Sequence, residues 1–241
     1  MEKRLDQNEQ KALAGKYAID KLIEQKSIFC GMKIGLGTGS TAMPAVRRLA
    51  ERIKDGTLTD IRAVPTSFQT MIACEELGIP VYSMNSKEIG GHLDLAIDGA
   101  DEINPSKQLI KGGGGALLIE KIIAYNADRF IIVADQTKEV DSIGTVFAVP
   151  VEIVEEARVT VEHELEKLGA SCVIRQGVRK AGPVITDNGN LILDALWKKA
   201  PDAAQMEDKI NKVVGVVENG FFCKKIPVVF VAHEDGTVTE R

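Results

Sequence analysis

Three segments of the chain bring together residue types that bind anions, hold hydroxyls or move protons. In the first, Gly35-Leu36-Gly37-Thr38-Gly39-Ser40-Thr41, glycines let the backbone approach an anion, and the N–H groups that open the following helix complement negative charge. Ser40 and Thr41 add hydroxyl donors, so a phosphate monoester is a natural ligand. A dinucleotide fingerprint needs GxGxxG, and a nucleotide P-loop needs GK[ST] after four intervening residues; this segment matches neither. A tight turn with a helix N-cap is the plainer alternative.

The second segment, Asp94-Leu95-Ala96-Ile97-Asp98-Gly99-Ala100-Asp101-Glu102, runs from a strand pattern straight into carboxylates. Ligands of open α/β sheets gather outside the carboxyl ends of the strands, which suits Asp98 and Asp101 to a site. The same acids could hold a divalent cation, or simply form an Asx-turn and helix cap. Metal ligation is disfavoured because His92, His163 and His233 are scattered and only His92 lies near the acids. In the third segment, Lys111-Gly112-Gly113-Gly114-Gly115-Ala116, four consecutive glycines carry an entropy cost that close backbone approach to a ligand would explain. Beyond them Glu120 shares a helix face with Ala116, Leu117, Ile123 and Ala124. A carboxylate in such an apolar surround would hold its proton more tightly than usual, which suits a general base. The alternative is an exposed Glu on an amphipathic helix. Lys138, just after the apolar run Phe130–Ala134, could add positive charge to the same crevice or be merely solvated.

Behind these segments stands an ordinary globular composition: 241 residues, 44% hydrophobic, 27% charged, one Trp. The net charge of −5 argues against a general affinity for nucleic acid or anionic membranes, so an anionic substrate must be captured locally. The four cysteines, Cys30, Cys74, Cys172 and Cys223, show neither zinc nor disulfide spacing, which fits a reducing compartment. The charged start has no signal-peptide core, and no run approaches the roughly 18 apolar residues of a membrane span. A cytoplasmic protein is expected.

The elements needed to carry these segments follow from periodicity. Residues 8–26 have helical spacing; Met32–Leu36 reads as a strand, Ala42–Ile53 as a helix, Asp60–Pro65 as a strand, and Phe68–Leu77 as a helix stopped by Gly78. Ile79–Ser83 and Leu93–Ile97 read as further strands, followed by a helix from Ala116 to Ala127 and a strand Phe130–Ala134. This alternation predicts an α/β fold, a mainly parallel sheet with helices on both faces. From Val149 onward strand and hairpin signals dominate: Val151–Val154, a helix near Thr160–Leu168, Cys172–Arg175, and the turn Asp187-Asn188-Gly189-Asn190 between Val184–Thr186 and Leu191–Leu193. They predict a smaller inserted α+β domain at 150–220, with 1–149 and 221–241 forming the catalytic domain and Val228–Ala232 returning to the main sheet.

In combination, GLGTGSTA, VPTSFQT, DGADEI, KGGGGAL with EKI, ADQTK, VPVEI, TDNGNLILD and GVVENGFF resemble the A-type ribose-5-phosphate isomerases in the order of their motifs, from about Lys11 to Phe222. The resemblance implies an aldose-ketose isomerase of the pentose phosphate pathway that needs no cofactor or metal. It implies substrate contacts at Thr38, Gly39, Ser40 and Thr41, at Asp98, Gly99, Ala100 and Asp101, at Lys111, Gly112, Gly113 and Gly114, and at Lys138. Glu120 matches the proton acceptor, and Lys111 with the glycine-loop N–H groups would stabilise charge growing on the sugar oxygens. Asp98 and Asp101 would hold hydroxyls, and one of them would assist opening of the furanose ring. The family commonly has Arg immediately before the catalytic Glu, where this chain has Ile119. The implied partners are a small-molecule sugar phosphate and further copies of the chain, as a homodimer or homotetramer, with no nucleic acid and no membrane. A sugar-phosphate sensor is the rival reading, but the roughly 30 residues before the first strand are too few for a helix-turn-helix domain.

Overall fold

The computed structural model describes residues 4–241. Its elements begin with α1 (Gln7–Glu24), β1 (Lys33–Leu36), α2 (Gly39–Lys54), β2 (Arg62–Pro65), α3 (Phe68–Leu77), β3 (Leu93–Asp98), β4 (Glu102–Ile103), β5 (Leu109–Ile110), α4 (Leu117–Tyr125) and β6 (Ala127–Asp135). They continue with β7 (Val149–Ile153), α5 (Arg158–Lys167), β8 (Ala170–Ile174), β9 (Leu191–Trp197), α6 (Ala203–Ile210), β10 (Val216–Asn219), β11 (Phe221–Phe222), β12 (Val228–Ala232) and β13 (Val238–Glu240). The chain forms two compact units. One comprises Met1–Ala100, Ile122–Lys138 and Pro227–Arg241, the other Asp101–Lys121 and Glu139–Ile226, so the division falls inside α4.

The first unit is built on a six-stranded sheet in the order β2-β1-β3-β6-β12-β13, parallel throughout except for β13. Helix α1 starts where Asp6 and Glu9 exchange side-chain to backbone hydrogen bonds, each 2.9 Å, a capping box that satisfies N–H groups a helix start leaves open. Helix α3 starts at Ser67, whose hydroxyl accepts from the Thr70 N–H, and ends at Gly78 in the left-handed conformation. Alternation along β1 sends Ile34 and Leu36 into a core shared with Ala14, Ala18, Leu22, Val46 and Leu49 of α1 and α2. The intervening Gly35 faces the other way: a Cβ there would sit 2.3 Å from Ile123 of α4, so the glycine lets that helix lie close against the strand. Helices thus cover both faces of a mainly parallel sheet, as the alternation predicts.

The second unit holds a four-stranded antiparallel sheet, β10-β7-β9-β8, and a three-stranded one, β11-β5-β4. Its core gathers Val149, Val151 and Ile153 of β7, Val161 and Leu165 of α5, Leu193 and Trp197 of β9, Ile210 of α6 and Phe221. The cuts differ from the expected boundaries at 150 and 220. Glu102–Ile103 and Leu109–Ile110 pair with each other and with Phe221–Phe222, which draws these segments into the antiparallel unit.

Two expected strands are absent. Ile79–Ser83 makes only a bridge from Val81 to Ala63 beside β2. Val184–Thr186 is not a strand because the chain from Thr186 onward curls around a carboxylate: Thr186 Oγ1, Asn188 Nδ2 and Asn190 Nδ2 donate to Glu152 Oε1 at 2.9, 3.1 and 2.8 Å. Val228–Ala232 does return to the main sheet, parallel to β6.

Candidate active site

In the first unit the polar segments collect at the carboxyl ends of parallel strands. Thr38 follows β1, Thr66 and Ser67 follow β2, Asp98 ends β3, and Lys138 closes the short turn after β6. The chain passes from β1 to β2 on one side and then to β3 on the other, so β1 and β3 flank the switch point where open α/β sheets take ligands. Asp98 is buried, and its Oδ1 accepts from the N–H of Thr38 at 3.2 Å and of Gly99 at 2.8 Å. A Cβ on residue 37 would fall 1.9 Å from that same oxygen, so glycine is required there for the turn and the carboxylate to meet.

Thr38 precedes α2 but does not cap it. Its hydroxyl donates to Ser67 Oγ at 2.6 Å and lies 2.6 Å from Thr66 Oγ1, while Thr70 Oγ1 donates to the Gly37 carbonyl at 2.8 Å. This hydroxyl cluster stiffens the turn from behind. Gln69 accepts from the Gly39 N–H at 2.9 Å, and Lys11 of α1 brings its ammonium 3.2 Å from the exposed Ser40 hydroxyl. Thr41 is half-buried, with its side chain against Gly99. A cation, hydroxyls and the start of a sixteen-residue helix therefore converge at Ser40, a suitable setting for a phosphate. Lys11 and Gln69 carried no signal in the sequence, since they are ordinary helix-surface residues 29 and 30 positions away from their partners.

The second unit carries the groups suited to proton transfer. Lys111 and Glu120, both at least 95% buried at the side chain, form an ion pair of 3.3 Å. The positions one turn away from Glu120, Ala116, Leu117, Ile123 and Ala124, are buried too, so the expectation of an apolar surround holds and that of an exposed helix face does not. Lys111 also lies 5.5 Å from the centre of the Phe222 ring. Lys121, adjacent to Glu120, is buried on the same ring at 4.8 Å and reaches Glu218 at 2.9 Å, the Asn219 carbonyl at 2.7 Å and Glu207 at 3.3 Å. This network fastens the first turn of α4 to β10 and α6. The sequence offered no sign of it, because its acids lie some 90 residues downstream.

Between Lys111 and α4 the glycines form a tight turn in which Gly115 N–H donates to the Gly112 carbonyl at 2.9 Å. Gly112 has φ +96°, and a Cβ on Gly113 would lie 2.6 Å from Asp101 Oδ1. Asp101 accepts from the Gly113 N–H at 2.7 Å, so one acid of the DGADE segment holds the glycine turn while Asp98 holds the hydroxyl turn. Among the described residues no group of three or more His, Cys, Asp or Glu is arranged to hold a metal ion. No described helix is long and apolar enough to cross a membrane.

Comparison with known proteins agrees with this chemistry. The model of the family described as Ribose 5-phosphate isomerase A (phosphoriboisomerase A) matches residues 62–236. The ribose-5-phosphate isomerase A of Treponema denticola is 56% identical, covering 98% of this chain and all of the relative, and that of Treponema pallidum is 52% identical over 98% and 94%. Among solved structures, a D-ribose-5-phosphate isomerase in complex with phospho-erythronic acid is similar at a TM-score of 0.90 with 40% identity, covering 98% of this chain and all of that one. The ribose 5-phosphate isomerase A of Methanocaldococcus jannaschii matches at 0.87, also with 40% identity, over 96% and 98%. The chain belongs to the ribose 5-phosphate isomerase A family.

Proposed function

We propose that the chain interconverts ribose 5-phosphate and ribulose 5-phosphate through an enediol or enediolate, with Glu120 carrying the proton between the two carbons. The observation that supports this most is the buried Lys111–Glu120 pair, whose members lie on either side of the glycine turn. In the aldose-to-ketose direction Glu120 takes the proton from C2, electron density moves onto O1, and the protonated Glu120 returns its proton to C1. The proton gained at O1 is matched by the one lost from O2, so the reaction needs no net acid or base. Lys111 supplies a fixed positive charge where oxyanion character grows, in a setting poor in water.

The phosphate is assigned to Thr38, Gly39, Ser40 and Thr41 with Lys11, and Lys138 is taken to add charge for the same anion. Asp98 and Asp101 are assigned to substrate hydroxyls and to opening the furanose ring, with Gly99, Ala100 and Gly112 to Gly114 offering backbone contacts. These roles require no metal. Four free cysteines support a reducing, cytoplasmic setting, and a homodimer or homotetramer is the expected assembly. The test is conversion of ribose 5-phosphate to ketose by the purified protein in EDTA, with exchange of the C2 hydrogen into solvent. Activity that vanishes in EDTA and returns with Mg²⁺ or Mn²⁺, or near-normal turnover in folded Glu120→Gln, would contradict it.

A further inference from the structure

Arg175 follows β8 in the antiparallel unit and matches none of the glycine or acidic motifs that carry the site. Its guanidinium is divided between two tasks. Nε and Nη2 donate to the two carboxylate oxygens of Asp194 at 2.9 and 2.5 Å, a bidentate fork that fixes the plane of the group. Nη1 donates to the carbonyls of Gly112 at 2.9 Å and Gly113 at 3.1 Å. The side chain is largely buried, at 16% exposure, so these bonds act where water competes little.

A trans peptide points its N–H opposite to its C=O, and no cis peptide bond occurs among the described residues. The peptide joining Gly112 and Gly113 is therefore gripped from both sides, by Arg175 at the oxygen and by Asp101 at the nitrogen. The next peptide is gripped at the Gly113 oxygen only. Its N–H, that of the exposed Gly114, points away from the guanidinium and has no acceptor among the described residues. Glycine peptides flip readily because no side chain blocks either orientation. The contacts that choose the orientation here come from Arg175. A cation on the carbonyl also polarises the peptide and makes its N–H a stronger donor.

We propose that Arg175, oriented by Asp194, is a positioning residue for the isomerase reaction, holding the Gly113–Gly114 peptide so that the Gly114 N–H faces the oxygen that gains charge in the enediolate. The inference rests on the isomerase reading above and adds to it a residue outside every segment assigned to substrate. Lysine cannot take the place of this residue, because a single ammonium does not supply a planar fork to a carboxylate and two carbonyls together.

The experiment compares wild type with Arg175→Ala, Arg175→Lys and Asp194→Asn by kcat, KM and inhibition by phospho-erythronic acid, whose carboxylate resembles an enediolate more than the sugar does. Loss of an oxyanion donor costs roughly 10²–10³ in rate, and a misplaced one somewhat less. Arg175→Ala is therefore expected to lower kcat about 10- to 100-fold, with KM within about threefold, and to weaken the inhibitor by a similar factor. Millimolar guanidinium should restore part of kcat in Arg175→Ala and none in wild type, a response that a purely structural loss would not give. Arg175→Lys should stay well below wild type. A folded Arg175→Ala protein with kcat within twofold of wild type, a loss confined to KM, or a kcat loss untouched by guanidinium overturns the proposal. If Arg175→Ala does not fold, Asp194→Asn decides: a fall in kcat of about threefold or more supports it and wild-type kcat overturns it. A wild-type protein without turnover would remove the isomerase reading and this inference together, whereas an active wild type with unaffected variants removes this inference alone.

Discussion

Neutralising Glu120 separates its part in stability from its part in chemistry. Glu120→Gln keeps the shape of the side chain but leaves the buried Lys111 ammonium 3.3 Å from an amide in place of a carboxylate. Breaking a buried pair from one side costs roughly 3–5 kcal/mol when the remaining charge is stranded. Here the Gln carbonyl still accepts a hydrogen bond and the Phe222 ring 5.5 Å from Lys111 still attracts the cation, so a cost of about 1–3 kcal/mol is expected. For a chain of this size that corresponds to a fall in Tm of roughly 2–12 °C. Lys111→Met takes the ammonium away from a buried carboxylate and should cost more, about 3–5 kcal/mol. The double variant Lys111→Met, Glu120→Gln removes both charges and should recover most of the lost Tm. Turnover should not recover: Glu120→Gln alone lowers kcat by about 10²–10⁴-fold with KM little changed, and the double variant is no better. Thermal melts of the three variants, with ketose formation and solvent exchange of the C2 hydrogen measured on the same samples, provide the cycle. Near-normal turnover and exchange in folded Glu120→Gln would refute the reasoning and pass the role of base to Asp98 or Asp101. A double variant as unstable as the sum of the singles would show that the two groups do not act as a pair.

Replacing Ser40 and Thr41 together with Ala should raise KM for ribose 5-phosphate by tenfold or more while kcat changes little, because their bonds to phosphate would be equally strong in ground and transition states; an unchanged KM with a reduced kcat would give the turn another role. Gly37→Ala should abolish activity and lower Tm, since its Cβ would lie 1.9 Å from the Asp98 carboxylate, and an active, stable variant would mean that the turn can move without losing Asp98. Cysteine labelling at pH 8 should be selective. The Thr59 N–H beside the exposed Cys30 holds its thiol below the usual value, whereas burial pushes Cys74 up to about 11 and Cys172 and Cys223 up to about 12. At pH 8 the last two are about 10⁻⁴ thiolate, so mass spectrometry after brief alkylation should find one label, on Cys30, and modification of Cys223 in the folded protein would contradict its burial.

The helices of the first unit were legible chiefly in their apolar spacing. Residues 8–26 and Ala42–Ile53 showed apolar residues at helical spacing, and Gly78 is a local stop signal that the structure uses at the end of α3. The expected strand at Ile79–Ser83 failed at the sheet margin, where the run meets β2 in a single bridge at Val81, through bonds of Pro80 and Tyr82 to Ala63. The expected strand at Val184–Thr186 failed for a different reason. Its apolar residues suggested pairing, but the hydroxyl and amides that follow bind Glu152, more than 30 residues upstream, and that bond set outweighs the ladder. Neither competitor has a local signature.

The candidate site divides along the same line. Glycines at close approaches and acids at strand ends announce themselves, since few other uses account for Gly37 against Asp98 or Gly113 against Asp101. The residues that hold those features in place do not announce themselves. Lys11, Gln69, Arg175, Glu207 and Glu218 are commonplace surface types in sequence, and each acquires its role only when folding brings a partner from 19 to 97 positions away. Glu120 lies between the two cases. Its apolar helix face was readable, but the ammonium that pairs with its carboxylate was not. The glycine turn brings Lys111, nine residues upstream, back to 3.3 Å from Glu120, so a segment whose glycines announce a close approach also delivers the ion-pair partner of the carboxylate, which no local signal of α4 discloses.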